Sequence, residues 1–174
     1  MKILKHLRTI NKHRRLVVWY CFRCGLYKQG LLHDLSKYHP IEFFNGARYY
    51  LGTGSPHSNE RADKGYSDAW LHHKGRNKHH VEYWFDYNVD IGAYAPVPMP
   101  KRYIAETICD RIAASKNYYK KSYTRDVPLN YFYNTHATTL MHEDTKKEIE
   151  KLLILYRDNG EKYIFKYLKK NYRK

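Results

Sequence analysis

Only three cysteines stand among the 174 residues. An odd, low number supplies no disulfide framework of the secreted kind. The N-terminal MKILKHLRTINKHRR carries no apolar core of a secretory signal, so a reducing cytoplasm is the expected compartment. No stretch approaches the ~18 apolar residues of a membrane span. Internal repeats and strand-like alternation are missing as well. Acidic residues are in short supply, 17 against 32 basic ones, which leaves a formal net charge of +15. That imbalance attracts polyanions such as nucleic acid, nucleotides or an anionic membrane surface, although a merely soluble basic surface has the same composition. Cys21 and Cys24 form a CxxC. Inside a helix-like run with no strand beside it, the pair reads as two small buried hydrophobes rather than a zinc or redox motif.

What is present begins with a hydrophobic fraction of 43%, enough to bury a core and to exclude wholesale disorder. At this length one domain is expected over residues 1–174. Apolar residues at helical spacing, Ile3, Leu7, Ile10, Val17, Cys21 and Cys24, predict one long helix over 2–29, with His13 on the same stripe. Gly30 is expected to break it. A short helix should cross His33-Asp34, and Pro40 marks its end or the start of the next helix, over 40–50. Residues 52–66 read as a polar loop, a candidate lid. Ser67 is placed to cap a helix carrying Ala69, Trp70 and His73. HHVEYWFDY at 79–87 reads as a further helix and 88–100 as a proline-rich loop. Pro100 is suited to the first turn of a helix over 101–119 with Ile104, Ile108, Ile112 and Ser115 on one stripe. Thr145-x-x-Glu148 reads as a capping box, Gly160 as a helix stop, and 161–174 as a basic helix whose Tyr163, Ile164, Phe165 and Leu168 favour a bundle contact over a membrane surface. The fold class that results is all-α, a compact bundle of about six to eight helices.

Histidine is abundant, at 11 residues, and it clusters. His13, His33-Asp34, His73, His79-His80 and Asp110 are imidazoles and carboxylates, the ligand types suited to Zn, Mn, Fe and similar divalent ions. A helical bundle can point such groups inward from facing helices. Asp110 stands between Ile108-Cys109 and Ile112, and a buried carboxylate needs an ion or a cationic partner. Its neighbour Arg111 is badly placed to supply one, because adjacent helical residues diverge. The two oxygens of Asp34 also allow it to bridge two ions.

The order His, His-Asp, His, Asp resembles the HD-domain superfamily of metal-dependent phosphohydrolases. His33-Asp34-Leu35-Ser36-Lys37 is similar to the HD-x-G-K segment of its binuclear branch, with Ser36 in place of glycine. The paired histidines of LHHKGRNKHHVEYW resemble the extra ligands of that branch, and ICDRIAA resembles the helix that supplies its last aspartate. HDLSKYHPIEF, AWLHHKGRNKHHVEYW and MPKRYIAETICD are closer still to a family of uncharacterised bacterial and phage proteins, which implies an architecture and no reaction. The resemblance covers roughly residues 10–120, the expected metal-site core, with a shorter match at 145–153 in the C-terminal helices (145–174). Ser36 and the lack of a GYP-like string speak against cyclic-dinucleotide specificity.

The resemblance implies a compact helical bundle of the HD-domain type. His13, His33, Asp34 and Asp110 are the core ligands it implies for one or two divalent ions (Mn, Fe, Zn, Ni, Co or Mg), with His73 and His80 next. His72 and His79 are alternates, since sequence does not say which of each pair points inward. The implied reaction is hydrolysis of a nucleotide or other phosphate ester by a metal-activated water. Asp34 and Lys37 stand at its centre, Lys37 to neutralise phosphoryl charge unless it is one more solvated lysine. Lys37, Arg76, Asn77 and Lys78 are the candidate phosphate ligands. Glu106 either orients a ligand or water or forms a surface ion pair. Two other readings remain: an HD-type di-iron oxygenase, and a non-enzymatic nucleic-acid or anion-binding module with a structural metal site.

Overall fold

The computed structural model describes residues 2–173. Met1 and Lys174, the ends of the expected domain and of its basic terminal helix, lie outside the described residues. The chain is mostly helical: α1 (Lys2–Arg23), α2 (Tyr27–Leu32), α3 (Pro40–Arg48), α4 (Pro56–Lys64), α5 (Asp68–Lys74), α6 (Lys101–Tyr119), α7 (Val127–Asn134) and α8 (Glu143–Asn171). A two-stranded antiparallel hairpin, β1 (Phe85–Asn88) and β2 (Ala93–Pro96), pairs Phe85 with Pro96 and Asn88 with Ala93. No helix among the described residues is long and apolar enough to cross a membrane.

The core forms where α1, α6 and α8 meet. Val17, Tyr20 and Cys21 pack with Ile104, Ile108 and Ile112 and with Ile149, Leu152, Ile164, Phe165 and Leu168, all buried. Each such side chain contributes roughly 1.5–3 kcal/mol on leaving water. The expected stripes on α6 and α8 are in place, except that Tyr163 is exposed, as is Ile3 on α1. The three cysteines share one buried cluster, with the Cys24 and Cys109 sulfurs 3.7 Å apart.

Several local expectations fail for identifiable reasons. The helix predicted over 2–29 is two helices. Gly25 takes a left-handed φ of 74° and turns the chain, while the expected breaker Gly30 lies inside α2. A Cβ at Gly30 would come 2.8 Å from the Cβ of Cys21, so glycine there serves close packing on α1. No helix crosses the His33-Asp34 pair. His33 ends α2, Asp34 is left-handed (φ 55°, ψ 23°), and a 3-10 turn, Leu35–Tyr38, follows. The loop predicted over 52–66 contains α4, opened by Pro56 and closed by left-handed Gly65. The helix predicted over 79–87 is a 3-10 turn, Val81–Tyr83, that runs into β1, and β2 lies in the predicted 88–100 loop.

Capping is mixed. Ser67 does cap α5, its Oγ accepting from the Trp70 N–H at 3.0 Å. Pro40 opens α3 and Pro100 precedes α6. Thr145 makes no capping box. His142 caps α8 instead, and Thr145 Oγ1 accepts from the Met99 N–H at 2.9 Å, which ties α8 to the approach of α6. Gly160 breaks α8 with φ 75° and ψ −173°, so the second, basic half leaves in a new direction.

Candidate metal centre

Five parts of the chain meet around one buried carboxylate, that of Asp34. His13 comes from α1, His33 and Asp34 from the junction after α2, His73 from α5, His79 and His80 from the turn after it, and Asp110 from α6. The left-handed backbone at Asp34 explains how adjacent residues serve one site. It turns the chain at the pair, and the His33 Nε2 and the Asp34 Oδ2 stand 3.3 Å apart. Lys37 lies one 3-10 turn on, where positions i and i+3 eclipse, and its Nζ sits 2.6 Å from Asp34 Oδ2.

The two oxygens of Asp34 face different partners. Oδ2 looks toward His13 Nε2 (3.4 Å) and His33 Nε2 (3.3 Å), and Asp110 Oδ1 lies 3.0 and 3.6 Å from those same nitrogens. Oδ1 looks toward His73 Nε2 (3.3 Å) and His79 Nε2 (3.5 Å), with His80 Nε2 2.8 Å from His73 Nε2. The result is two four-residue groups able to hold an ion, His13/His33/Asp34/Asp110 and Asp34/His73/His79/His80, with Asp34 in both.

Donor spacing and donor chemistry fit a divalent transition metal. Ligands bound at about 2.0–2.1 Å stand about 3.4 Å apart in a tetrahedron and about 2.9 Å apart at octahedral right angles. The carboxylate–imidazole separations here, 3.0 to 3.6 Å, lie in that range. Five of these atoms, His13 Nε2, His33 Nε2, both Asp34 oxygens and His79 Nε2, are buried with no aligned hydrogen-bond partner. Each orphaned polar atom costs about 1–3 kcal/mol, which coordination would offset.

The opposite edges of the rings are fixed by carboxylates. His33 Nδ1 and His79 Nδ1 both meet Glu106 Oε1, at 2.8 and 3.1 Å, so one acid on α6 orients a histidine from each group. His73 Nδ1 meets Glu42 Oε2 at 2.7 Å. With Nδ1–H donated outward, each Nε2 keeps its lone pair toward Asp34, the arrangement second-layer acids impose on metal-bound histidines. His33, His79 and Glu106 could also hold an ion among themselves, but their short contacts are explained by N–H donation.

Charge is distributed accordingly. Burial opposes the Asp34 carboxylate, yet His33, Lys37 and His73 hold it well below its ordinary range. Burial likewise opposes the Asp110 carboxylate, yet the nearby His13 and His33 imidazoles hold it well below its ordinary range. His33 and His73 are also opposed by burial, but the neighbouring carboxylates raise them. Burial and the adjacent imidazoles push His80 well down.

The adjacent histidine pairs divide unequally. His73 faces Asp34, whereas His72 turns to Glu42 Oε1 at 2.5 Å and stacks on His39. Both His79 and His80 reach the site. They do so through the turn that follows Gly75, not by helical phase, because α5 ends at Lys74. Arg76 and Lys78 are exposed, while Asn77 is buried and its Nδ2 donates to the His73 carbonyl and to Ser36 Oγ, both at 2.8 Å. Glu42 and His57 had no role in the sequence reading, and Ser36 entered it only as the residue in place of the HD-x-G-K glycine. Glu42 occupies the first turn of α3, where an acid is unremarkable. His57 is half-buried beside Trp70 and stacks toward His73 at 6.0 Å, and desolvation pushes it down to about 3.

No curated protein and no solved structure matches the chain. The chain belongs to the family of unknown function DUF5662, whose model matches residues 2–154.

Proposed function

We propose that this protein is a metal-dependent phosphohydrolase of the HD-domain kind, acting on a nucleotide or another phosphate ester. The observation that carries the reading is the double role of Asp34, each of whose oxygens faces its own set of imidazoles. His13, His33, Asp34 and Asp110 would hold one ion, and Asp34, His73, His79 and His80 a second. Imidazole-rich donor sets favour Mn, Fe, Co, Ni or Zn over Mg, which prefers oxygen. When bound, such ions supply Lewis acidity toward a phosphoryl oxygen and a nucleophilic water at neutral pH.

The chain's own groups do the rest. Glu106 and Glu42 hold the imidazole tautomers fixed, so little reorganisation is needed at the moment of reaction. Lys37 keeps a quarter of its side-chain surface open while touching Asp34, so its ammonium can meet an incoming phosphoryl group at the rim. Burial of the cage excludes bulk water and strengthens that contact.

Metal analysis of the purified protein beside Asp34→Asn and Asp110→Asn tests the reading, together with turnover of nucleotides and a chromogenic phosphodiester. Stoichiometric metal lost in both variants, with hydrolysis lost in parallel, is the expected result. Iron with a radical-type signal in air and oxidation of a small substrate would replace it with a di-iron oxygenase. Metal without turnover of any phosphate ester would leave a binding module, a reading the net charge of +15 favours.

A further inference from the structure

Behind the cage lies a second feature. His33 and His79 present Nε2 to Asp34 and Nδ1 to Glu106. On the Glu106 side a cleft of about 280 Å³ opens, with His33, His79 and Glu106 in its wall and Lys28, Arg76, Lys78 and Arg102 around it. These cations come from α2, the turn after α5, and the start of α6, and all four are exposed. They converge from three separate parts of the chain.

None of the four has a counter-ion among the described residues. Among the described residues, the ion pairs of lysine and arginine lie elsewhere, at Arg23, Lys37, Lys64, Lys116, Lys151 and Arg157. The one carboxylate in the cleft, Glu106, is engaged by two histidines. Two of the cations are held in place: Lys78 Nζ lies 6.0 Å and Arg102 Cζ 5.0 Å from the Tyr103 ring centre. A third, Arg76, spends Nη1 on the His72 carbonyl at 3.1 Å and keeps its other N–H groups free of hydrogen bonds to the described residues. Four like charges around a concave wall repel one another, and a bound anion of matching charge relieves that repulsion more fully than water and salt do.

We infer that this cleft binds an oligophosphate, a ligand with two or more linked phosphate groups, at a site separate from the cage around Asp34. A single phosphate would leave most of the fourfold charge uncompensated, whereas linked phosphates offer several charge-assisted acceptors within one small volume. A nucleoside polyphosphate and successive phosphodiesters of a single strand share this chemistry. The inference does not depend on metal in the cage.

The test is calorimetric titration of the full chain, as purified and after chelation, with inorganic pyrophosphate. Arg76→Ala/Lys78→Ala/Arg102→Ala should weaken pyrophosphate binding by about a hundredfold, roughly tenfold or less per charge-assisted contact. Lys162→Ala/Lys166→Ala/Lys170→Ala, which removes the same charge from exposed positions of α8, should change it by about twofold at most. Lys78→Glu alone, at an exposed site, should reproduce most of the loss should the triple variant melt early. Wild-type metal content in the cleft variants separates this site from the cage. A ribonucleoside triphosphate and a short single-stranded oligonucleotide, titrated in parallel, identify which source binds more tightly. Equal losses in both triple variants, or no pyrophosphate binding by the wild type, would overturn the proposal.

Discussion

Glu42 and His73 meet at 2.7 Å between carboxylate and Nδ1, and this contact aims the His73 Nε2 at Asp34. Glu42→Gln removes the charge that holds the ring and its tautomer while keeping the shape. Metal affinity should fall about 10–100-fold with the helical circular dichroism unchanged. Competition against a chelator of known affinity reads the change, and an unaltered affinity would show that the carboxylate has no orienting role.

Metal held by the proposed donor groups would be linked to stability. An ion that binds only the folded chain raises its stability by about 2.7 kcal/mol at a hundred times its dissociation constant. Addition of Mn or Zn to chelated protein should therefore raise the thermal midpoint by several degrees. Asp34→Asn, which keeps the backbone suited but halves the shared charge set, should abolish that rise.

His6 tests a tight contact away from the cage. A Cβ at Gly46 on α3 would lie 2.5 Å from His6 Nε2, and the His6 ring is confined by Phe43 and Tyr50. Gly46→Ala should destabilise the protein by about 1–2 kcal/mol in urea, because the clash outweighs the better helix propensity of alanine. His6→Ala in the same chain should recover most of the loss.

The same histidine gives a pH dependence. Burial, aided by Lys37, lowers His6 to about 4 from an ordinary value of 6.5. Between those values the unfolded chain binds a proton that the folded chain refuses, so stability falls as pH drops through that window. His57, lowered to about 3 by burial and then by His73, acts in the same direction. Urea midpoints measured from pH 7 to pH 4 should decline, and the slope should be shallower in His6→Gln.

Cys21, Cys24 and Cys109 are buried in one cluster, and burial pushes the Cys109 thiol well up. A thiol-specific reagent should leave the native protein unlabelled and modify all three cysteines only after denaturation. Rapid labelling of any one under native conditions would contradict the packing.

Much of the candidate site was legible because its residues break their surroundings. His13 sits on the apolar stripe between Ile10 and Val17, and Asp110 lies beside the Ile104, Ile108 and Ile112 stripe on an otherwise apolar helix. In both cases an ionisable group among apolar neighbours signals a partner. The choice between His72 and His73 was not legible, since adjacent helical residues differ by about 100° and only the packing of α5 against α3 fixes the phase. Glu42 carries no sequence signal, since an acid in the first turn of a helix is common. The hairpin escaped notice because its strands are four residues each and largely exposed, so they bear no alternation of buried and open positions. The long N-terminal helix was over-extended because Gly25 and Gly30 look alike in sequence. One turns the chain and the other packs flat against Cys21.

The main-chain posture at position 34 restricts what can stand there, apart from any chemistry. At a φ of 55° most side chains crowd their own carbonyl, and only glycine, asparagine and aspartate adopt it readily. A change to valine or leucine would therefore lose an acid and add roughly 1–2 kcal/mol of local distortion in one step. Asparagine and glycine are the replacements this backbone accepts most readily, so the geometry of a single peptide unit narrows the sequences that position 34 can carry.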